Sequence, residues 1–103
     1  MKLDRNGYAP SIIEGHDNLH CWRCGKNGGG KMDRHEIYHG PFREKSKAFG
    51  LWVHLCHREC HLDGAHKYGS ADMELKQAGQ RAAMSEYGWN AEQFAAEFGK
   101  SYL

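Results

Sequence analysis

At 103 residues, with 40% apolar side chains and a mean hydropathy of −0.82, the chain has material for one small domain around one modest core. A formal net charge of +1 excludes a polycation that binds nucleic acid through bulk charge alone. No run approaches the roughly 18 apolar residues of a membrane span, and the first residues lack a charged-then-apolar secretory signal, so a cytoplasmic, non-membrane protein is expected.

Charge is unevenly placed along this near-neutral chain. From Arg23 to Lys47 seven basic residues stand against three acidic ones, whereas from Ser70 onward three basic residues stand against five acidic ones. A polyanionic partner is therefore expected to meet the middle of the chain, with the C-terminal part facing elsewhere.

Residues 1–20 show no clear period, and their Asn6-Gly7 and Ala9-Pro10 punctuation reads as an extended or loosely packed segment. Residues 21–69 carry the chemistry. Cys21-Trp22-Arg23-Cys24-Gly25 has the form of a zinc knuckle, a tight turn that aims two sulfurs at one point while the glycine supplies a positive φ. Lys26 to Lys31, with three successive glycines, is expected as a flexible hairpin tip. Met32 to His39 alternates as a strand, which Gly40-Pro41 ends. Arg43 to Phe49 suits a short helix stopped by Gly50. Leu51 to Leu55, rich in aromatic and branched residues, is a second strand that delivers Cys56. A helical turn from there places Cys56 with Cys60, and His57 with His61, on common faces before Gly64 and Gly69 interrupt.

Residues 70–103 read as a pair of helices. Ser70 caps the first, and Met73, Leu75, Ala78, Ala82, Ala83 and Met84 give it an apolar face reaching about Tyr87. Gly79 weakens that helix by about 1 kcal/mol relative to alanine. The second begins at Asn90, with Gln93 completing a capping box, and ends near Phe98 before Gly99. Phe94, Phe98, Tyr102 and Leu103 are expected to dock on the core of what is a single α+β domain overall.

The two cysteine pairs flank strand-like sequence, a knuckle, a β-hairpin and then a second pair at a helix start. That is the layout of a treble-clef finger with a small ββα core. One structural Zn2+ held by Cys21, Cys24, Cys56 and Cys60 is expected, and bound zinc adds folding energy that a core this small needs. Three residues separate Cys56 from Cys60 where two are commoner, so His57 or His61 can take the fourth position instead. Free or disulfide-bonded cysteines are the remaining reading, and disulfides are uncommon in a reducing cytoplasm. Six of the eight histidines lie between His35 and His66. His16, His20 and His54 read as satisfied surface residues. Strand and helix are expected to bring His35, His61 and His66 to one side of the clef.

Asp33-Arg34-His35-Glu36-Ile37-Tyr38-His39-Gly40, Arg43-Glu44-Lys45-Ser46, Gly50-Leu51-Trp52-Val53-His54-Leu55-Cys56 and Gly64-Ala65-His66 together resemble the ββα-metal HNH nuclease-like proteins of bacteriophages and prophages. Leu75-Lys76-Gln77-Ala78-Gly79-Gln80 and the closing Phe98-Gly99-Lys100-Ser101-Tyr102-Leu103 continue the resemblance, which spans residues 21–103. It implies hydrolysis or nicking of DNA phosphodiesters by a phage- or prophage-encoded protein in a bacterial host. In that chemistry a strand histidine takes a proton from water while a divalent cation stabilises the phosphorane and the departing 3′-oxygen. Carried onto this chain, the resemblance implies His35 as the base and His61 and His66 as ligands of a catalytic divalent cation, Mg2+, Mn2+, Ni2+ or Zn2+. Arg34 and Arg43 would grip phosphate oxygens. Glu36 stands where many relatives carry a second histidine, so an alternative makes His35 the metal ligand and Glu36 the base or a second ligand.

Two departures from the family pattern bear on these roles. Phe42 and Leu51 occupy the positions where the motif asparagine, which steadies the loop carrying the catalytic histidine, is expected. Cys60 falls where similar chains carry a histidine, and its recruitment to zinc leaves the cation with His61 and His66. Two other functions compete with the nuclease. One is a noncatalytic treble-clef zinc module that binds nucleic acid or a phage protein, with Arg23, Lys26, Lys31 and Arg34 as phosphate contacts. The other is an assembly role, which requires an exposed apolar patch around Trp22, Trp52 or Trp89.

Overall fold

Alternating side chains at a period of two produce two strands, β1 (Met32–Glu36) and β2 (Trp52–Cys56), paired antiparallel. The computed structural model describes residues 3–27, 32–56 and 69–103. Between the strands run a 3-10 turn (Gly40–Phe42) and α1 (Arg43–Ala48), and after β2 come α2 (Gly69–Tyr87) and α3 (Ala91–Phe98). Among the described residues the result is a small α+β fold with one two-stranded hairpin and three helices. No helix among the described residues is long and apolar enough to cross a membrane.

Strand β1 stops at Glu36, short of the expected His39, because the chain finds a different set of partners there. Ile37 N still donates to Leu51 O (3.1 Å), but Tyr38 N turns to the Ser46 hydroxyl (3.2 Å). That hydroxyl in turn donates to Leu51 O (2.6 Å) while Leu51 N donates to Ser46 O (2.8 Å). A fully buried serine on α1 thus replaces the next rung of the ladder and leaves no main-chain donor stranded.

The register pairs Met32 with Cys56, Arg34 with His54 and Glu36 with Trp52 on one face, and Asp33 with Leu55 and His35 with Val53 on the other. Val53 and Leu55 are fully buried and join Ile37, Tyr38, Leu51, Leu75, Ala83, Phe94 and Phe98 in the core. Helix α3 is built as expected, with the Asn90–Gln93 capping box formed and Gly99 closing it in the left-handed region at φ +90°. Phe94 and Phe98 are buried against the Tyr38 ring, at centroid distances of 5.5 and 4.6 Å. Tyr102 packs at the edge of this cluster, whereas Leu103, expected in the core, is exposed. Its neighbours are held by polar contacts instead: Tyr102 N donates to Gln80 Oε1 (2.6 Å), and Gln80 Nε2 donates to Ser101 Oγ (2.9 Å). Tethered at its backbone, the tail turns its last side chain outward.

The described N-terminal residues form neither helix nor strand, but residues 9–13 are anchored rather than loosely packed. The Trp52 indole, buried on β2, needs an acceptor and takes Ala9 O (2.7 Å), while Ser11 Oγ donates to Trp52 O (2.6 Å). Ala9 N and Ile12 N donate to Lys47 O and Gly50 O, each at 3.0 Å. Ala9 and Ile13 are buried as a consequence. Gly50 sits at φ +75°, and a Cβ there would collide with the Pro10 carbonyl, so this crossing demands glycine.

Gly79, a propensity defect in the sequence, has a packing reason. A Cβ at this position would stand 2.7 Å from the Tyr38 hydroxyl and 3.2 Å from its ring carbons. That hydroxyl donates to Lys76 O (2.6 Å), binding α2 to the residues that follow β1. Gly79→Ala should therefore destabilise the protein by about 1–3 kcal/mol by overpacking, against the gain of about 1 kcal/mol that helix propensity alone gives. Urea unfolding measures the sign, and a more stable variant would show that the approach of Tyr38 does not constrain α2.

Candidate metal centres

Main-chain hydrogen bonds fasten the cysteine knuckle to the hairpin. Trp22 N donates to His54 O (2.8 Å), Cys21 N to Lys26 O (2.9 Å) and Gly25 N to Cys21 O (2.9 Å), with Gly25 at φ +76°. Cys21 and Cys24 are thereby carried to Cys56 at the end of β2. Cys24 Sγ lies 3.9 Å from Cys56 Sγ, and all three sulfurs fall within 4.8 Å of one another. Sulfurs on the edge of a zinc-sized tetrahedron are about 3.8 Å apart, whereas a disulfide requires about 2.05 Å. The spacing suits a shared ion. Burial works against a Cys21 thiolate, but hydrogen bonds from the Cys24, Cys56 and Arg23 main-chain N–H groups, and from the Cys24 side chain, outweigh it and bring the pKa from 9.0 to about 7. Cys60, His57 and His61, the candidates for a fourth ligand, lie outside the described residues.

A second group of ligand atoms gathers on the other face of the hairpin. His35 is buried on β1, His39 follows the bend after that strand, and Asp72 stands in the first turn of α2. The His35 and His39 rings meet edge to face at 5.1 Å, His39 Nε2 lies 3.3 Å from Asp72 Oδ1, and the three residues offer donor atoms within 4.8 Å of one another. Asp72 Oδ2 pairs with Lys76 Nζ at 2.8 Å, one helical turn on. Burial raises the Asp72 carboxyl, but its hydrogen bonds from Lys76 and His39, and their charges, hold it below the ordinary aspartate value. Three thiols and this imidazole–carboxylate trio are the two groups among the described residues that can each hold a metal ion.

The pleat separates other residues that sequence reasoning had grouped. Glu36, next to His35 in the chain, points to the opposite face, where Arg43 Nε donates to its Oε1 at 2.6 Å. Tyr8 lies against the same carboxylate, and burial first, then its hydrogen bond to Glu36, pushes its hydroxyl up to about 12. Arg34 shares that face, with Nη1 3.0 Å from Asp4 Oδ2 and its guanidinium 4.4 Å above the Tyr8 ring. Arg34, Arg43 and Glu36 are therefore brought together, but not with His35. His61 and His66 lie outside the described residues. His39 and Asp72 were not identified from sequence. His39 lay inside the HNH-like motif four residues after His35, which was the available signal, whereas Asp72 showed itself only as an acid in the first turn of a helix.

The remaining histidines and tryptophans are accounted for structurally. His16 Nε2 and His54 Nδ1 are 3.0 Å apart, and both rings pack edge-on against Trp52, while His20 pairs with Asp17 at 3.1 Å. Trp52 is buried, and Trp22 and Trp89 pack against the core, so the exposed tryptophan patch that an assembly role requires is not formed by these residues. Acids of the C-terminal part also reach the basic middle: Lys45 pairs with Glu97 at 3.3 Å and Arg23 with Glu74 at 3.7 Å. The local positive surplus is thus partly offset on folding.

Comparisons with protein-family models, curated proteins and solved structures find no match to this chain. The three converging thiols nonetheless make a direct prediction. Cys24→Ser, at an exposed knuckle position, should lower the metal retained after desalting by about one ion per chain. Elemental analysis reads this, and equal metal content in parent and variant would separate the thiols from metal binding.

Proposed function

We propose that the chain is a metal-dependent, HNH-like endonuclease that hydrolyses or nicks DNA phosphodiesters on a treble-clef, ββα-metal scaffold. The observation that supports it most is the position of His35, on the first strand of an antiparallel hairpin and within ligand distance of the acid that opens helix α2, with a thiol knuckle fastened to the second strand. In this reading Cys21, Cys24 and Cys56 hold a structural Zn2+ with a fourth ligand from Cys60, His57 or His61. Bound there, the ion would join the knuckle to β2 and so support the hairpin. A divalent cation in the active site supplies Lewis-acid stabilisation of charge developing on the phosphate.

His35 is the residue on which hydrolysis would turn, either taking the proton of the attacking water or serving as a ligand of the cation. His61 and His66 are further candidates for holding that cation. Glu36 serves Arg43 and Tyr8 rather than the water, because its carboxylate faces away from His35. With Ni2+ or Zn2+ the protein should nick supercoiled plasmid, and His35→Ala should slow nicking by about 100-fold or more. Gel assay of both proteins checks this, and equal rates would remove His35 from the reaction.

A second reading, a noncatalytic zinc module that binds nucleic acid, is favoured by one specific feature. Arg34 and Arg43 share a face with the Tyr8 and Trp52 rings and lie opposite His35. On that reading DNA affinity should drop by about tenfold or more between 50 and 200 mM salt, Arg34→Ala and Arg43→Ala should each weaken binding, and no metal should produce nicks. Fluorescence anisotropy measures the binding, and no binding at low salt would end both nucleic-acid readings.

A further inference from the structure

We propose that His35, His39 and Asp72 form a divalent-cation site of their own, distinct from the thiol centre, selective for an imidazole-preferring transition-metal ion such as Zn2+, Ni2+ or Co2+ over Mg2+. The site deepens the nuclease reading by naming the cation and its ligands, but its existence does not need DNA.

Separation from the thiols follows from the strand register. His35 pairs with Val53, three residues before Cys56 and on the opposite face of the pleat. Three residues of strand cover about 10 Å, so one ion cannot be shared between the two groups. The ligands also come from three different places in the chain: β1, the bend that follows it, and the first turn of α2. Bonds of 2.0–2.2 Å to nitrogen and oxygen place neighbouring donors about 3.4 Å apart around a tetrahedral ion. The His39 Nε2 to Asp72 Oδ1 distance of 3.3 Å already matches that edge.

Donor chemistry then selects the ion. Two imidazoles and one carboxylate suit Zn2+, Ni2+ and Co2+, whereas Mg2+ is held by carboxylates, phosphates and water. Lys76 strengthens the preference. Its ammonium, 2.8 Å from Asp72 Oδ2, offsets the one negative charge of the group and leaves the imidazoles to supply the affinity. It also holds the carboxylate with Oδ1 turned toward His39. His35 is buried while His39 and Asp72 are partly exposed, so the group can be reached from solvent, as catalytic sites must be.

Calorimetric titration of Co2+ into the protein with its thiol site already filled with zinc tests the site. One additional ion per chain is expected, with visible d–d absorption and no added thiolate charge-transfer band. Asp72→Asn and His39→Ala should each weaken this second event at least tenfold, with folding checked by circular dichroism. Glu74→Gln, which alters a neighbouring acid outside the group, should leave it unchanged. An equal excess of Mg2+ should not displace the Co2+. Absence of a second ion in the parent protein, or unchanged affinity in both ligand variants, overturns the site; displacement by Mg2+ overturns its selectivity. Binding as described in a protein that does not nick DNA leaves the site standing and removes the nuclease reading alone.

Discussion

The pairing of Met32–Glu36 with Trp52–Cys56 is the constraint on which the rest of the molecule depends. A shift of one residue in an antiparallel pair exchanges every side chain between faces, and here the two faces do different chemistry. In the observed register His35, Val53 and Leu55 share the buried face, and Arg34, Glu36, Trp52, His54 and Cys56 share the other. The same five rungs therefore direct an imidazole toward α2 and a thiol toward the knuckle. Val53 and Leu55 hold that register, since both are fully buried in the apolar core and a one-residue slip would carry them out of it to the face of the knuckle.

Buried polar groups then fix how the helices meet this hairpin. Ser46 bridges Tyr38 and Leu51, the Tyr38 hydroxyl reaches Lys76 O, and Gln80 binds the C-terminal backbone at Tyr102. Each of these bonds satisfies a group that would otherwise be costly to bury. Directional contacts of this kind specify a single docking arrangement more narrowly than apolar area does, which matters in a chain of this size. Asp72 profits from that precision. Lys76, in the next turn of the same helix, both anchors Tyr38 through its carbonyl and pairs with Asp72 through its ammonium.

The two candidate metal centres differ in how visible they are along the chain. Cys21 and Cys24 announce themselves by close spacing in a turn with glycine after it, because a knuckle is local geometry. Cys56 was readable as their partner because it opens a second closely spaced pair with Cys60 at the end of strand-like sequence. His35 was legible from the motif around it, but Glu36 was not: only the pleat reveals that its carboxylate belongs with Arg43 and Tyr8. Asp72 was hidden for the opposite reason. An acid in the first helical turn is an ordinary partner of the helix dipole, and its nearness to His39 depends on how α2 packs.

By itself the sequence determined that two short strands form and where the helices begin and end: α1 and α2 to within a residue or two, and α3 from the Asn90–Gln93 box to Gly99, whereas β1 stops three residues before its expected end because Ser46 takes the next rung. These are legible because caps, turns and periodicity act within a few residues. The tertiary structure alone decided that residues 9–13 are anchored to Trp52 and to the residues just before β2, that Gly79 makes room for Tyr38, that Leu103 points outward and that His39 and Asp72 join His35. Each of those depends on groups 20 or more residues apart, or on which way a side chain leaves the backbone after a bend, and local spacing carries no information about either.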